Sequence, residues 1–575
     1  MDLYKAVESY VSRMLGTTGG KTGSVYDSGS NKMKIILLDS ETTSIISMVS
    51  TQSLLLQNEV YLIDRLDNPK RERMRHLKCV VFVRPTGESV QQLIEELREP
   101  KYGEYELFFS NIIKKSSLER VAEADDYEVV KSVQEVFADY LVINRDLFTM
   151  NLQAPDKMIF GDAAEAWSPG PFMRSVEGIM AACLALKKRP VIRFEANSAM
   201  AKSLAIETQY NMQQEPSLFD FRRTDTPPTL LILDRKNDPV TPLLTPWTYQ
   251  AMVHHFLGIK NGRVDLSGVP DARPDMKEIV LSPEQDPFYK QSMFMNFGDL
   301  GASIKEFVDN YQSKTKSNMN IESIADMKRF VEEYPEFRKL SGNVTKHVTL
   351  VSEISRLVDL YDMLEIGQLE QSLACRDTHN QDLKLLRKFL GDELPHDVKV
   401  RLVALYGLRY ERMPNNAFGS LCGMLASLGV SDYRLDTLRT LVRYAGADER
   451  QEDLFAADTI FRGPSGFKGV HDVENVYTQH TTLLERTLSA LLKGRLREAA
   501  YPFLESGAAT RDKPQDIIVY FVGGATYAEA RLVAKINEGT PGVRIVLGGT
   551  TVHSSTSFMD DLAFSAAKWA GASIR

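Results

Sequence analysis

Residues Thr229–Leu233 read TLLIL and end at Asp234, and residues Asp516–Val522 read DIIVYFV; these two runs, far apart in the chain, decide the fold. Each is an unbroken apolar stretch of strand length, the pattern of a strand buried on both faces of a sheet. A second C-terminal run, Val543–Leu547 (VRIVL), follows a helical pattern over Tyr527–Asn537. Two isolated strands cannot form a stable sheet alone. The economical arrangement is that they join the sheet containing Thr229–Leu233, which makes this α/β domain discontinuous. From about 245 to about 495 helical periodicity dominates, so that stretch is expected as a helical insertion in the second domain.

Towards the N-terminus, Ile179–Leu186 and Ala199–Met212 read as helices around a strand at Val191–Phe194. Further upstream, apolar runs at Lys34–Leu38 (KIILL), Val60–Ile63, Cys79–Val83 (CVVFV), Glu106–Phe109 and Tyr140–Ile143 alternate with helical patterns at Glu88–Arg98 and Ser117–Glu123. Strands separated by helices predict a first parallel sheet covered on both faces. Residues 1–15 form an amphipathic helix, with Leu3, Ala6, Val7, Tyr10, Val11 and Leu15 on one face. The expected domains are 1–140, 141–245 with 496–575, and the insertion 246–495.

Inside the insertion, Leu340, Leu350, Ile354, Leu357, Tyr361 and Leu364 form a stripe whose last five members alternate steps of four and three, a heptad seam interrupted by Asn343 and His347. The preceding segment, Ile321–Tyr334, is also helical, and Pro335 lies between. An interior proline costs a helix about 3 kcal/mol. A helical hairpin over about 320–365 with a hinge at Pro335 is therefore expected. By pattern alone the seam is more economically buried within the same chain than offered to a partner.

The chain has 575 residues, which suggests about three or four domains. A formal charge of -8 argues against a nucleic-acid binder, which would show a basic face. Cys79, Cys183, Cys375 and Cys422 have no zinc-ligand spacing and fit a reducing cytosol. MDLYKAVESYVSRML lacks the apolar core of a signal peptide. No stretch approaches the roughly 18 apolar residues of a membrane span. The final ASIR is not a prenylation box. Membrane association is expected through partners alone.

Catalytic motifs are weak. In Gly16-Thr-Thr-Gly-Gly-Lys21-Thr22 a phosphate-binding loop is one residue short and follows a helix rather than a strand, so a surface loop over Gly16–Ser30 is expected. Asp234, Asp238 and Glu41 lack histidine or cysteine company and read as capping or salt-bridging carboxylates. His254 and His255 are adjacent on a helix and point about 100° apart, so they cannot share a metal. The pairs Gly523-Gly524 and Gly548-Gly549 each follow a strand, where α/β sheets bind ligands, but no GxGxxG accompanies them. Tight turns are the simpler reading. No enzyme activity, cofactor or metal is expected; a nucleotide-dependent enzyme using the glycine turns is the weakest alternative.

Three blocks in order along the chain resemble one family. Leu233-Asp-Arg-Lys-Asn-Asp-Pro-Val-Thr-Pro-Leu243 with Thr248-Tyr-Gln-Ala-Met252 is similar to an LDRxxDxxTPL…TYxAM block. Phe521-Val-Gly-Gly-Ala-Thr-Tyr-Ala-Glu-Ala530 is similar to FxGGxTxxEA, and Lys34–Asp39 to the first strand. These identify the chain as a member of the Sec1-like, or SM, family of SNARE-binding proteins. Residues 1–15 and Gln52–Leu66 are similar to its endosomal and trans-Golgi branch. The resemblance implies an arch-shaped three-domain α/β fold in which domain 1 and the insertion face each other across a cleft. It implies a scaffold role for Asp234, Arg235, Asp238, Gly523, Gly524 and Glu529, with Arg235, Asp238 and Glu529 knitting the core by ion pairs. It implies a domain-1 pocket for a SNARE N-terminal peptide, lined by Leu118, Val121, Ala122, Val133 and Val136, with Glu135 accepting a basic residue. Periodicity alone would instead make Leu118 and Val133 core residues of a helix pair. The hairpin (Pro335, Leu350, Ile354, Leu357) would offer a surface to the vesicle R-SNARE. The implied partners are a syntaxin-type Qa-SNARE, the assembled SNARE complex and an R-SNARE. The chain itself would be a cytoplasmic monomer, peripheral to Golgi and endosomal membranes. A passive helical scaffold of a tethering complex is the alternative function.

Overall fold

The computed structural model describes residues 1–16, 33–222, 224–270, 276–319, 324–376, 378–455, 477–505 and 513–572. Most of the Gly16–Ser30 stretch, with Lys21 and Thr22, lies outside them.

The chain opens with the helix Leu3–Met14, whose Leu3, Tyr4, Val7, Val11 and Met14 are buried. Five strands then form the first sheet: β1 (Lys34–Leu38), β2 (Val60–Arg65), β3 (Met74–Val83), β4 (Tyr102–Phe109) and β5 (Val130–Glu135). Their order is β2-β1-β3-β4-β5, parallel throughout. The expected fifth strand, Tyr140–Ile143, does not belong here. β5 takes that place, and its sequence VKSVQE shows no apolar run because an edge strand leaves much of its surface in water.

Asp39, at the end of β1, caps the next helix by accepting from Thr42 N at 2.8 Å. It also accepts from Arg84 N at 2.6 Å and Ser89 Oγ at 2.9 Å. The Arg84 side chain crosses to Asp139 at 3.1 Å, and Asp139 also meets Arg174 at 3.3 Å. Burial alone would raise the Asp139 carboxyl, but the two guanidiniums outweigh it and hold it below its ordinary value. This buried cluster ties the first sheet to the helix Pro169–Ala185 of the second unit.

The second unit begins with β6 (Leu141–Asn144), β7 (Leu147–Thr149), β8 (Val191–Phe194) and β9 (Thr229–Asp234). A mainly helical stretch follows, carrying a small antiparallel ribbon of β10 (Arg263–Asp265) and β11 (Glu278–Val280). The chain then returns with β12 (Asp516–Val522), β13 (Ala525–Thr526), β14 (Arg544–Gly549) and β15 (Val552–His553). The six-stranded order is β6-β7-β14-β12-β9-β8. β12 lies parallel between β9 and β14, with Ile517 opposite Thr229 and Ile545. Both C-terminal strands thus join the sheet of β9, as sheet economy predicts, although only β12 pairs with it directly; β6 with its antiparallel partner β7 forms one edge.

The hairpin differs from expectation. Its arms are the helices Phe297–Met319 and Ile324–Leu360, bridged by a Tyr311 hydroxyl donating to Ser341 Oγ at 3.2 Å. Residues 320–323, between the arms, lie outside the described residues. The second arm continues through Pro335, so Pro335 is a position within an arm and not a hinge. The loss of one N–H bond is carried by the cooperative bonding on either side. Leu350 and Ile354 are fully buried and Leu357 half-buried, so the seam packs mainly on the chain's own core. Leu350 and Ile354 therefore do not offer a surface to a partner.

Candidate functional site

Where β9 and β12 end side by side, Val522 pairs with Asp234. The chain turns there at Gly523 and Gly524, with φ of +84° and +91°. A Cβ on Gly524 would meet His553 Cδ2 at 2.4 Å, so only glycine fits both the turn and the space. Arg235 fills the resulting interior. It donates to the Gly524 carbonyl at 2.8 Å and to Glu529 Oε2 at 2.6 Å, and lies 4.3 Å from the centre of the Phe521 ring. Glu529 also accepts from Thr526 N at 2.8 Å, closing a capping box on the helix Tyr527–Gly539.

The expectation of ion pairs needs one correction. Asp238 meets Arg235 only through its backbone, its carbonyl accepting from Arg235 Nη1 at 3.2 Å and its N–H donating to the Arg235 carbonyl at 3.0 Å. Its carboxylate instead accepts from the Thr241 hydroxyl at 2.7 Å and from Leu483 N at 3.1 Å. Asp234 accepts from Ser198 Oγ at 2.6 Å and Lys236 N at 3.0 Å, and Glu41 pairs with Lys157. Among the described residues no three histidine, cysteine or carboxylate side chains are grouped to hold a metal.

In the first unit, the helix Lys115–Glu123 and β5 present Leu118, Ala122 and Val133. Leu118 is half-buried against the sheet core, Ala122 is exposed, and Val133 is 41% exposed on the edge strand. Val133 therefore belongs to a strand and not to a buried helix pair. Val121 and Val136 are 2% and 0% exposed. They point inward and cannot line a surface pocket: Val121 is on the core side of its helix, and Val136 follows β5 with its N–H donating to the Phe109 carbonyl at 2.8 Å. Glu135 is exposed, but Oε1 accepts from Ile113 N at 2.8 Å and so braces the loop after β4. Among the described residues the sheet ends at β5, whose outer edge pairs with no further strand.

The opposite edge carries an apolar surface that the sequence reading missed. Tyr61 and Ile63 of β2 and Leu54 and Leu56 of the helix Gln52–Gln57 are all exposed. The alternation of buried Val60 and exposed Tyr61 is a period-two signal that could have found it.

The hairpin base is fixed by polar groups in the core. His347 Nε2 lies 2.8 Å from Asp286 Oδ2, and its Nδ1 lies 2.7 Å from the Tyr249 hydroxyl. Lys346 pairs with the same carboxylate. Burial alone would raise the Asp286 carboxyl, but His347 and Lys346 outweigh it and hold it well below the usual carboxylate range. Nearby, Arg401 meets Glu370 at 2.7 Å, both buried. Among the described residues no helix is long and apolar enough to cross a membrane.

This architecture, and the blocks that build its core, match known proteins over nearly the whole chain. A family model described as Sec1 family matches residues 34–561. The chain belongs to the Sec1 family. Within the family it is similar to the vacuolar protein sorting-associated protein 45 of Schizosaccharomyces pombe, 48% identical over 98% of this chain and 99% of that protein. The human protein of the same name is 46% identical over 98% and 96%. A solved SM protein Vps45 in complex with the Qa SNARE Tlg2 superposes with a TM-score of 0.91, at 54% identity and covering 99% of both chains. A complex of Unc18 and syntaxin 1 from Monosiga brevicollis shares the Sec1-family fold at a TM-score of 0.78 and 18% identity, covering 98% of this chain and 100% of that one.

Proposed function

We propose that this chain binds a syntaxin-type Qa-SNARE and its SNARE complex, and thereby promotes and regulates vesicle fusion at endosomal and trans-Golgi membranes. The observation that carries the reading is the 54% identity and 0.91 TM-score to an SM protein whose solved complex holds a Qa SNARE. The role is a template one: binding two partners on one rigid body raises their effective concentration for each other. No bond-making is required of the protein, and its burial of Arg235, Asp238 and Glu529 in the core suits a scaffold. The chain acts in the cytoplasm and reaches membranes through its partners.

Leu118, Ala122 and Val133 supply the apolar part of an N-peptide site on the first unit, with Glu135 at its rim. An apolar side chain docked on such a surface can contribute about 2 kcal/mol or more to binding. The test is calorimetry of the whole chain against full-length and N-terminally truncated syntaxin-type SNAREs. Binding that weakens on truncation, and on Leu118→Arg, is expected. Failure to bind any Qa-SNARE would remove the function, whereas binding indifferent to both changes would remove only the pocket.

A further inference from the structure

A cavity of about 290 Å³ opens where the end of the helix Ile324–Leu360 meets the starts of the helices His396–Tyr410 and Ser555–Ala572. Phe256, Leu357, Tyr361, Val398 and Met559 give it mainly apolar walls. The cations on its lining are already matched. Arg401 meets Glu370 at 2.7 Å, and Arg434 meets Asp560 at 2.8 Å and Asp397 at 3.2 Å. Burial and the neighbouring Arg401 push the His255 imidazole pKa down, so that side chain is neutral. The lining therefore calls for apolar contact and not for a charged ligand.

Apolar surface continues beyond the mouth. Thr556, which lines the cavity, shares one helix face with Asp560 and Phe564, spaced by four. Phe564 is exposed, about 12 Å along the helix from Thr556, and its ring centre lies 6.4 Å from that of exposed Tyr433. Leu360 and Leu364, on either side of Tyr361 in the chain, are exposed as well. Apolar residues gathered around one cavity mark an interaction site. The rim is acidic. Asp359, Asp362, Asp392, Glu393 and Asp432 are exposed, lie within three residues of a lining residue, and make no ion pair among the described residues. Of the basic side chains on the same segments, Arg356 meets Glu353 at 2.7 Å, Arg401 and Arg434 are matched as above, Lys399 is buried and His396 is exposed.

We propose that this surface docks an amphipathic helix of a partner protein, one that carries basic residues beside a bulky apolar anchor. The anchor, a leucine, methionine or aromatic side chain, fills the cavity. A second apolar residue, about two helical turns on, meets Tyr433 and Phe564. Lysine or arginine residues flanking the anchor face the acidic rim. Helices lie in grooves by anchors spaced in this way, and opposed charge sets their register. The same rim repels an anionic membrane surface, so the occupant is a protein segment and not a lipid bilayer. The surface lies on the insertion and the last helix, apart from the Leu118 surface of the first unit, and does not rest on the Qa-SNARE reading.

The test is selection on the full chain from a displayed library of random peptides about four helical turns long, after depletion on the Thr556→Trp variant. Thr556 is exposed at the mouth, so the indole closes the cavity without entering the core. Selected peptides should carry lysine or arginine beside a bulky apolar residue. In fluorescence anisotropy, Thr556→Trp should weaken the tightest of them at least about tenfold, the loss of a buried anchor. Asp359→Lys with Asp362→Lys, both on the surface, should weaken it about three- to tenfold at low salt and by less at high salt. Circular dichroism confirms that the variants are folded, and the surface pair decides the matter alone if Thr556→Trp is not. No enrichment, selected peptides that are acidic or purely apolar, or binding unchanged in the folded variants overturns the site. A dimer of the parent in sedimentation that Thr556→Trp abolishes would give the surface to a second copy and overturn the partner. Qa-SNARE binding should survive Thr556→Trp; its loss would overturn the independence of the two surfaces.

Discussion

Arg235 and Glu529 are separated by 294 residues, yet their side chains meet at 2.6 Å with neither accessible to solvent. The pair joins the end of β9 to the first turn of the helix after β12, and so closes the discontinuous domain across the whole insertion. Removing one partner leaves the other charged, buried and unpaired. Arg235→Met or Glu529→Leu alone should cost about 3–5 kcal/mol, while the double replacement should cost clearly less than the two single losses added. Urea denaturation of the three variants measures this; simple additivity would show that the pair is not coupled.

Gly524 makes an independent prediction about the same turn. A Cβ there meets His553 and Thr551 at under 3.0 Å, and the backbone φ of +91° is one that side chains rarely adopt. Gly524→Ala should destabilise by about 2–5 kcal/mol, summing left-handed strain and overpacking. Gly429, also at positive φ but with open space around it, should lose only the strain term on the same change. Thermal melts of the two variants separate space from backbone.

Leu118 and Val121 lie one turn apart on one helix and pack on the same core, Val121 at 2% exposure and Leu118 half-buried at its rim. Leu118→Arg should leave the melting temperature close to that of the parent, since a half-buried position lets the guanidinium reach water. It should nevertheless abolish binding of a SNARE N-terminal peptide. Val121→Asp places a carboxylate in the sheet core, and the first unit should fail to fold. A melt showing the opposite ranking would reverse the assignment of core and rim.

Asp286 gives the hairpin base a pH dependence. Its folded pKa lies below the ordinary unfolded value, so the stabilisation it provides is complete above about pH 5 and is lost as pH falls through about 4 and lower. Asp286→Asn should cost about 3–5 kcal/mol at neutral pH, because Lys346 and His347 lose their carboxylate. The gap between parent and variant should narrow between about pH 5 and 3 in urea titrations. A gap independent of pH would show that the carboxylate's charge contributes nothing.

The strands were legible wherever both faces of the sheet are covered. TLLIL, DIIVYFV, CVVFV and KIILL need no tertiary knowledge, because a residue with no exposed face must be apolar whichever way it points. β5 was not legible. VKSVQE is an edge strand, and its polar residues meet water, so the apolar run Tyr140–Ile143 was given its place in the wrong sheet. The six scaffold residues could be named in advance from the family blocks, but Asp238 turned its carboxylate to Thr241 and Leu483 and not to Arg235.

Taken alone, the sequence determined that two parallel sheets and a helical insertion exist, which buried strands build most of them, and that the C-terminal strands join the sheet of β9. Periodicity is a local property of the chain and survives any packing. Only the tertiary structure decided that Leu350 and Ile354 face inward, and that Val121 and Val136 are core while Leu118 and Val133 are not. A stripe on a helix records that one face avoids water. It does not record what lies against that face, because the neighbour is supplied by elements hundreds of residues away.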